Sequence, residues 1–312
     1  MNVRNFLYII SLTVTIHCIA GSALFAQQKI TIVYTNSLNG YLDYCHCKEE
    51  PKGGLVKRAT EINNIRKDHG TVFLFETGDF FTYDKDEILA KYIVKAYQRI
   101  GYDAIQFGDQ EFGMGIRDFL EYKNALPFVC GNIKLDDDSG FKAHYKRYRI
   151  ITRNGFKLGV IGTIASDSFN FSPKDIVSNI KIANQVTEIE KDIKELKKSR
   201  VNAIVLLSHS GDDRDRELIR KLKDVHVIIG GHTQALLEQP ESYGGRLIVQ
   251  AGSNGARIGI LDLQFDKGKI VKFENSFRRP DDKQPADDPV IRKLIDEYQA
   301  EVKEKYKGLK FN

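Results

Sequence analysis

Short apolar runs rich in β-branched residues alternate along the chain with stretches in which apolar residues recur every three or four positions. The runs predict strands at residues 30–34, 72–75, 104–107, 160–162, 203–207, 225–229 and 247–250. The spacing of three and four predicts helices at residues 55–65, 88–96 and 186–196. Strands that alternate with helices predict an α/β domain in which helices cover the faces of the sheet.

The pattern changes after this region. Residues 258–265 predict a last, antiparallel strand, which is followed by a polar stretch rich in Asp and Pro at 278–289 and a charged helix at 290–307. We therefore expect residues 27–312 to form a single domain that ends in a C-terminal helix, with no second domain after it.

The first 26 residues differ from the rest. Arg4 is their only charged side chain, and an apolar run at residues 6–20 is followed by small residues that end at Ala26. This pattern predicts a signal peptide that is cleaved after Ala26 and a protein that is exported to the periplasm or secreted. No later apolar stretch approaches the ~20 residues that a transmembrane helix needs.

Composition and charge narrow the class of partner. The chain has 312 residues, of which 42% are hydrophobic and 29% charged, and this excludes a disordered or collagen-like protein. The net charge of +5 is spread through mixed runs and forms no basic patch, so we expect no nucleic-acid polymer as a partner.

Acidic residues and histidines follow four of the predicted strands. They are Asp79, Asp109, His209 and His232, and glycines adjoin three of them. Ligands of open α/β sheets bind at the carboxyl ends of the strands, where these side chains should converge. Carboxylate and imidazole together suit a divalent zinc, manganese or iron ion. The alternative is that each Asp caps a helix and each His is a surface residue, but capping does not explain the glycines or the shared edge.

The motifs at these strand ends carry a family resemblance. They read Thr35-Asn36-Ser37-Leu38-Asn39-Gly40, Glu76-Thr77-Gly78-Asp79, Gly108-Asp109-Gln110-Glu111-Phe112, Ser208-His209 and Gly231-His232-Thr233-Gln234. In this order they resemble the calcineurin-like metallophosphoesterases, specifically the catalytic domain of exported 5′-nucleotidases. The resemblance implies a four-layered αββα sandwich. It also implies two metal ions at the strand ends, which activate a water or hydroxide against a phosphoester.

Departures from the family pattern concentrate at the first metal site. The resemblance places Ser37, Asn39 and Gln234 where the family has metal ligands. It places Gln110 where the family has the His that helps to protonate the leaving group or to stabilise the transition state, so no catalytic residue is carried over.

At the second metal site the resemblance implies four competent ligands. They are Asp79, Asp109 in place of an Asn, His209 and His232. The added carboxylate of Asp109 should tighten the binding of a divalent cation. We therefore expect one retained metal site, with zinc, manganese or iron as the ion.

A second group of possible ligands follows the first motif. In an extended loop Cys45 and Cys47 would point to one side and His46 to the other. The two thiolates could hold an auxiliary metal ion or serve redox chemistry. The alternative is a pair of loop thiols that oxidise or pack.

Other polar residues have weaker interpretations. Glu111 is either a hydrogen-bond acceptor that orients a metal ligand or a structural residue. Lys57 and Arg58 either meet an anionic substrate or lie on a solvated helix face. His226 and Cys130 are interpreted as structural residues.

Two functional hypotheses follow. The first is an exported, metal-dependent hydrolase of phosphoesters, similar to 5′-nucleotidases and acting on a small anionic substrate. The second is a catalytically impaired protein of the same fold that binds a metal or an anion, with Cys45 and Cys47 as further binding or redox residues. Exported 5′-nucleotidases grip the nucleoside base with a separate C-terminal domain; we expect no such domain after the C-terminal helix, so nucleotide specificity by that route is not predicted.

Overall fold

Two β-sheets face each other and helices cover their outer faces. The computed structural model describes residues 27–44, 54–122, 124–135, 145–280 and 285–307. Within these ranges, none of the helices combines the length and the apolar character that crossing a bilayer requires.

The first sheet has five strands in the order β13-β12-β1-β2-β3. Three of them are parallel and come early in the chain: β1 (Gln28–Thr35), β2 (Val72–Glu76) and β3 (Ala104–Ile105). Two late strands complete the sheet: β12 (Ile258–Asp266) pairs antiparallel with β1, and β13 (Lys269–Arg278) pairs antiparallel with β12. The carboxyl ends of the three parallel strands therefore lie at one end of the sheet.

The second sheet has six strands in the order β10-β11-β9-β8-β6-β5. Its four central strands are parallel: β6 (Phe156–Ile164), β8 (Ala203–His209), β9 (Val227–Gly230) and β11 (Arg246–Val249). The antiparallel strands β5 (Tyr148–Arg153) and β10 (Glu241–Tyr243) form its edges. A separate antiparallel pair consists of β4 (Ile133–Leu135) and β7 (Ile180–Ile182).

Helices form the two outer layers. The described helices are α1 (Leu55–Asp68), α2 (Glu87–Ile100), α3 (Ile116–Glu121), α4 (Lys174–Val177), α5 (Gln185–Lys198), α6 (Asp212–Lys221) and α7 (Pro289–Lys305). The apolar faces of α1 and α2 pack on the first sheet, α7 packs against α1 and α2, and the apolar faces of α5 and α6 pack on the second sheet. The predicted αββα sandwich is confirmed.

Alternation of side chains along each strand divides the core into layers. In β8, Val205 and Leu207 point between the sheets, whereas Ile204 and Leu206 point toward α5 and α6. Successive side chains of a strand point to opposite faces, and strands covered on both sides are apolar throughout. The rigid double sheet that results holds the carboxyl ends of its parallel strands in fixed positions.

The structure differs from the sequence prediction at the edges of the sheets. The predicted strand at 104–107 is only Ala104–Ile105 long, and shortly after it the backbone N–H of Gly108 donates to the Glu111 side chain. The strand at 258–265 is not the last one, since β13 pairs with it along its whole length. The predicted C-terminal helix is observed as α7.

Candidate metal centre

Four side chains predicted as metal ligands come together at the carboxyl ends of the parallel strands. Asp79 follows β2, Asp109 follows β3, His209 is the last residue of β8 and His232 follows β9. One ligand atom from each lies within 4.8 Å of the others. His232 is the most accessible, with 29% of its side chain exposed, so the cluster opens to solvent on its side.

The distances within the cluster suit a shared cation. His209 Nε2 lies 3.3 Å from Asp79 Oδ1 and 3.2 Å from Asp109 Oδ1, and His232 Nδ1 lies 3.3 Å from Asp109 Oδ1. Asp79 Oδ1 is buried and has no hydrogen-bond partner among the described residues. A buried carboxylate oxygen without a hydrogen bond is costly unless a cation compensates its charge. The four residues therefore fit a divalent metal ion.

A backbone carbonyl fixes the orientation of His209. Its Nδ1 lies 2.7 Å from the carbonyl oxygen of Thr77, which can only accept a hydrogen bond. Nδ1 therefore carries a proton, and Nε2 is the atom that points to both carboxylates. This is the arrangement by which a second hydrogen bond orients a metal-binding histidine. Thr77 is held in turn by its hydroxyl, which donates to the carbonyl oxygen of Gly230 at 2.8 Å.

Electrostatics in the cluster favour positive charge between the carboxylates. Burial alone would raise the pKa of Asp109, but hydrogen bonds from His209 and His232 hold it well below its usual range. Burial would likewise lower the pKa of His209, but the carboxylates of Asp79 and Asp109 raise it well above its usual range. The same negative charges would stabilise a metal cation bound between these groups.

Glu111 holds the two acidic loops together. Its carboxylate accepts backbone N–H groups from Asp79, Phe80, Phe81 and Gly108 at 2.5–3.0 Å. Burial and the charge of Asp79 raise the pKa of Glu111 to about 8, and the backbone hydrogen bonds oppose that rise. Of its two interpretations, the structure favours a residue that positions the loops of Asp79 and Asp109.

Two glycines let the loops approach this closely. A Cβ atom on Gly108 would lie 2.3 Å from Asp79 Oδ1 and 2.6 Å from His209 Nε2. Gly78 adopts a φ of 91°, and a Cβ atom there would lie 2.7 Å from His209 Nδ1. A side chain at either position would displace the groups of the cluster.

Comparison with known proteins gives consistent results in sequence and in structure. The chain is 29% identical over 295 residues to a snake venom 5′-nucleotidase from Gloydius brevicauda, which covers 82% of this chain and 48% of that protein. The structure of a 5′-nucleotidase precursor from Thermus thermophilus superposes with a TM-score of 0.81 at 22% identity, over 90% of this chain and 60% of that one. The calcineurin-like phosphoesterase YfkN from Bacillus subtilis superposes with a TM-score of 0.73 at 22% identity, over 89% of this chain and 99% of that one.

The chain has the calcineurin-like phosphoesterase fold. The resemblance found in the motifs is thereby confirmed, and the similarity in sequence extends to 5′-nucleotidases. No family model matches the chain. The chain spans about half the length of the first of these relatives, the venom 5′-nucleotidase.

In this calcineurin-like fold, two of the residues that the resemblance assigns to a first metal site, Asn39 and Gln234, belong to a hydrogen-bonded group of amides. Asn39 Nδ2 donates to Gln234 Oε1 at 3.2 Å and to Asn254 Oδ1 at 2.7 Å, and Gln110 Nε2 donates to Asn39 Oδ1 at 3.2 Å. Ser37 is buried, and its backbone carbonyl accepts the N–H of Asn254 at 2.7 Å. Asn254 was missed by the sequence analysis, although its position shortly after β11, at the same end of the sheet, was a usable signal.

The cysteine group stays a prediction. Cys45, His46 and Cys47 lie outside the described residues, as does the predicted signal peptide. Their use as auxiliary metal ligands or redox thiols is therefore untested by the structure.

The neighbouring basic residues of α1, Lys57 and Arg58, are buried, contrary to both predicted locations. Arg58 is fully buried, with Nη1 3.5 Å from Glu76 Oε2, and Lys57 is buried and donates to the carbonyl oxygen of Pro285 at 2.9 Å. Neither lies on a solvated helix face, and neither is exposed to meet a substrate from solvent. The structural interpretation of Cys130 agrees with its complete burial.

His226 has the structural role that was predicted. It directly precedes β9, its Nδ1 accepts the N–H of Ile204 at 3.1 Å and its Nε2 donates to the carbonyl oxygen of Gly268 at 3.0 Å. Both ring nitrogens are thus used by the backbone, and burial lowers the pKa of the ring.

Proposed function

We propose that the chain is a metal-dependent hydrolase of phosphoesters that uses a single divalent cation held by Asp79, Asp109, His209 and His232. The observation that carries the proposal is the convergence of four donor atoms within 4.8 Å of one another around a buried carboxylate oxygen that has no hydrogen bond. Homology to 5′-nucleotidases and the calcineurin-like fold support a phosphoester as the substrate.

Each ligand residue has a distinct part in this site. Asp79 and Asp109 balance the charge of a divalent ion, and the buried His209 offers an Nε2 whose direction Thr77 fixes. His232 lies at the open side, where a substrate would enter. The bound cation would lower the pKa of a coordinated water and polarise an oxygen of the substrate. Oxygen and imidazole donors suit zinc, manganese or iron.

The substrate should be a small anionic ester with a good leaving group. Gln110 stands where the resemblance expects a histidine, and an amide cannot donate a proton to a leaving oxygen as an acid does. Hydrolysis should therefore be faster for an aryl phosphate, whose leaving group needs no proton, than for an alkyl phosphate.

The proposal includes export of the protein from the cytoplasm. The apolar N-terminal segment and its small residues before the cleavage position support a signal peptide, and the protein would then act in the periplasm or outside the cell.

The test combines metal analysis with an activity assay. Purified protein is loaded with manganese or zinc, its metal content is measured, and hydrolysis of an activated aryl phosphate is followed. We expect about one equivalent of metal and measurable turnover, both of which are lost when His209 and His232 are replaced by Ala. His69→Gln is the matched control, because His69 lies between the end of α1 and the start of β2 and contacts Thr31 and Asp262, away from the carboxyl ends of the parallel strands. Turnover that survives the double replacement would contradict the proposal.

A second function is favoured by the amides at the first-site positions. Asn39 and Gln234 are neutral and hydrogen-bonded to each other at 3.2 Å, so a second catalytic cation is not expected between them. A protein that binds one metal and an anion without turnover is consistent with this arrangement. Bound metal and bound phosphate with no hydrolysis of any aryl phosphate would favour this function.

A further inference from the structure

Four amide side chains form one hydrogen-bonded group beside the metal centre. This amide cluster consists of Asn39, Gln110, Gln234 and Asn254, with Asn39 at its centre. Its hydrogen bonds link amides to one another and not to charged side chains. The sequence places the cluster against the metal centre, since Gln110 directly follows Asp109 and Gln234 follows His232 by two residues.

The hydrogen bonds of the cluster leave mainly N–H groups to be satisfied. The side-chain oxygens of Asn39, Gln234 and Asn254 each accept a bond within the cluster, whereas the side-chain oxygen of Gln110 accepts none there. Among the described residues, one N–H of Gln110 and the side-chain N–H groups of Gln234 and Asn254 make no hydrogen bond. A group of neutral donors is suited to an anionic oxygen and unsuited to a cation.

The backbone holds this arrangement in place. Ser37, Asn39, Gln234 and Asn254 have positive φ angles of 47°, 52°, 56° and 56°, and the metal-centre residues Asp79 and His232 share this feature at 58° and 74°. Such conformations cost free energy in residues other than glycine, and they cluster at functional sites. Asn39 N also donates to the carbonyl oxygen of Asp79 at 2.8 Å, so the cluster and the metal centre are fixed relative to each other.

We propose that the amide cluster binds an anionic oxygen of the phosphoryl group and so replaces the cation that the family resemblance places at this position. The inference rests on the proposed function, because the neutral amide cluster would bind the same phosphoester on which the metal centre acts. The two carboxylates of the centre balance one divalent ion, and the amides then supply attraction to the anion without a second metal. The active protein accordingly holds one metal ion.

The test measures phosphate binding without turnover. Manganese-loaded protein is titrated calorimetrically with inorganic phosphate, and its manganese content is measured. Manganese is the suitable ion because oxygen and nitrogen ligands bind it and thiolates such as those of Cys45 and Cys47 prefer softer metals. Gln110→Glu and Gln234→Glu each replace a donor by a negative charge of nearly the same shape. Gln98→Glu is the matched control, since Gln98 lies in α2 and donates to the carbonyl oxygen of Ala125.

We expect one equivalent of manganese in the wild type. The phosphate affinity should fall by about tenfold or more in Gln110→Glu and in Gln234→Glu, because each variant loses one hydrogen bond to a charged group. Gln98→Glu should bind phosphate like the wild type. Gln234 is exposed, so its replacement leaves the fold intact, which thermal unfolding verifies. Bound manganese with unchanged phosphate affinity in both variants overturns this inference alone, as does a second equivalent of manganese in the wild type. Absence of bound manganese overturns the proposed function and this inference together.

Discussion

Replacement of Glu111 by Gln tests how the metal centre is held together. The carboxylate of Glu111 accepts four backbone N–H groups, with Oε1 bound to Phe80 and Phe81 and Oε2 bound to Asp79 and Gly108. Glutamine has nearly the same shape but offers one oxygen and one NH2 group. In either orientation, two of the four buried N–H groups lose their acceptor and face another donor.

The size of the effect follows from this count. A buried donor left without an acceptor costs ~1–3 kcal/mol, so two of them should lower the free energy of unfolding by about 2–6 kcal/mol. A domain is typically stable by about 5–15 kcal/mol, so most of this range leaves the variant folded. The loops that carry Asp79 and Asp109 should also lose their fixed spacing, and the affinity for manganese should fall about 10–100-fold, the usual effect of removing a residue that orients metal ligands.

Urea unfolding monitored by circular dichroism gives the change in stability, and calorimetric titration with manganese gives the change in affinity. Glu121→Gln is the control, because Glu121 is exposed at the end of α3 and the same substitution there removes no acceptor from a buried N–H group. A Glu111→Gln protein with the stability and manganese affinity of the wild type would refute the argument. Reduced stability with unchanged manganese affinity would assign Glu111 a purely structural role.

Two further predictions concern the histidine near β9 and a glycine of the metal centre. Burial lowers the pKa of His226, so as the pH falls the imidazole is protonated in the unfolded chain before it is protonated in the folded state. The folded state should therefore lose stability below about pH 6.5, by at most about 1.4 kcal/mol per pH unit. His226→Gln should lose less stability than the wild type between about pH 7.5 and pH 5 in urea unfolding, and equal losses would contradict the assignment. Gly108→Ala places a Cβ atom 2.3 Å from Asp79 Oδ1, so the variant should bind no metal. Full metal content in the purified variant would show that the loops can move apart.

The central parts of the fold could be predicted from the sequence, and the edges could not. The strands β2 and β8 are buried along their whole length and β1 from Ile30 onward, so their sequences are largely apolar runs that stand out. By contrast, β13 was missed because most of its side chains are at least partly exposed, and its polar residues give no apolar periodicity. Its position is determined by backbone pairing with β12, which a local pattern does not reveal.

The positions of the site residues could be predicted because parallel strands end at the same edge. That rule brought together Asp79, Asp109, His209 and His232. It could not give the partners of these residues, since the bonds of Glu111 to four backbone N–H groups depend on the conformation of two loops. Metal binding by the four residues, like metal or redox use of the cysteines at 45 and 47, stays a prediction.

Arg58 shows the limit of local patterns most clearly. Its position in a helix with another basic residue indicated exposure, yet it is fully buried against Glu76 and the hydroxyl of Tyr102. The partners lie on other elements, 18 and 44 residues away along the chain. A buried ion pair of this kind leaves no signal in the spacing of residues near Arg58.

The most direct test of the metal centre is anomalous diffraction from a crystal soaked in manganese chloride. We predict one anomalous peak within coordinating distance of Asp79, Asp109, His209 and His232, and none among the side chains of the amide cluster. Absence of density between those four residues, or a peak between Asn39 and Gln234, would contradict this prediction.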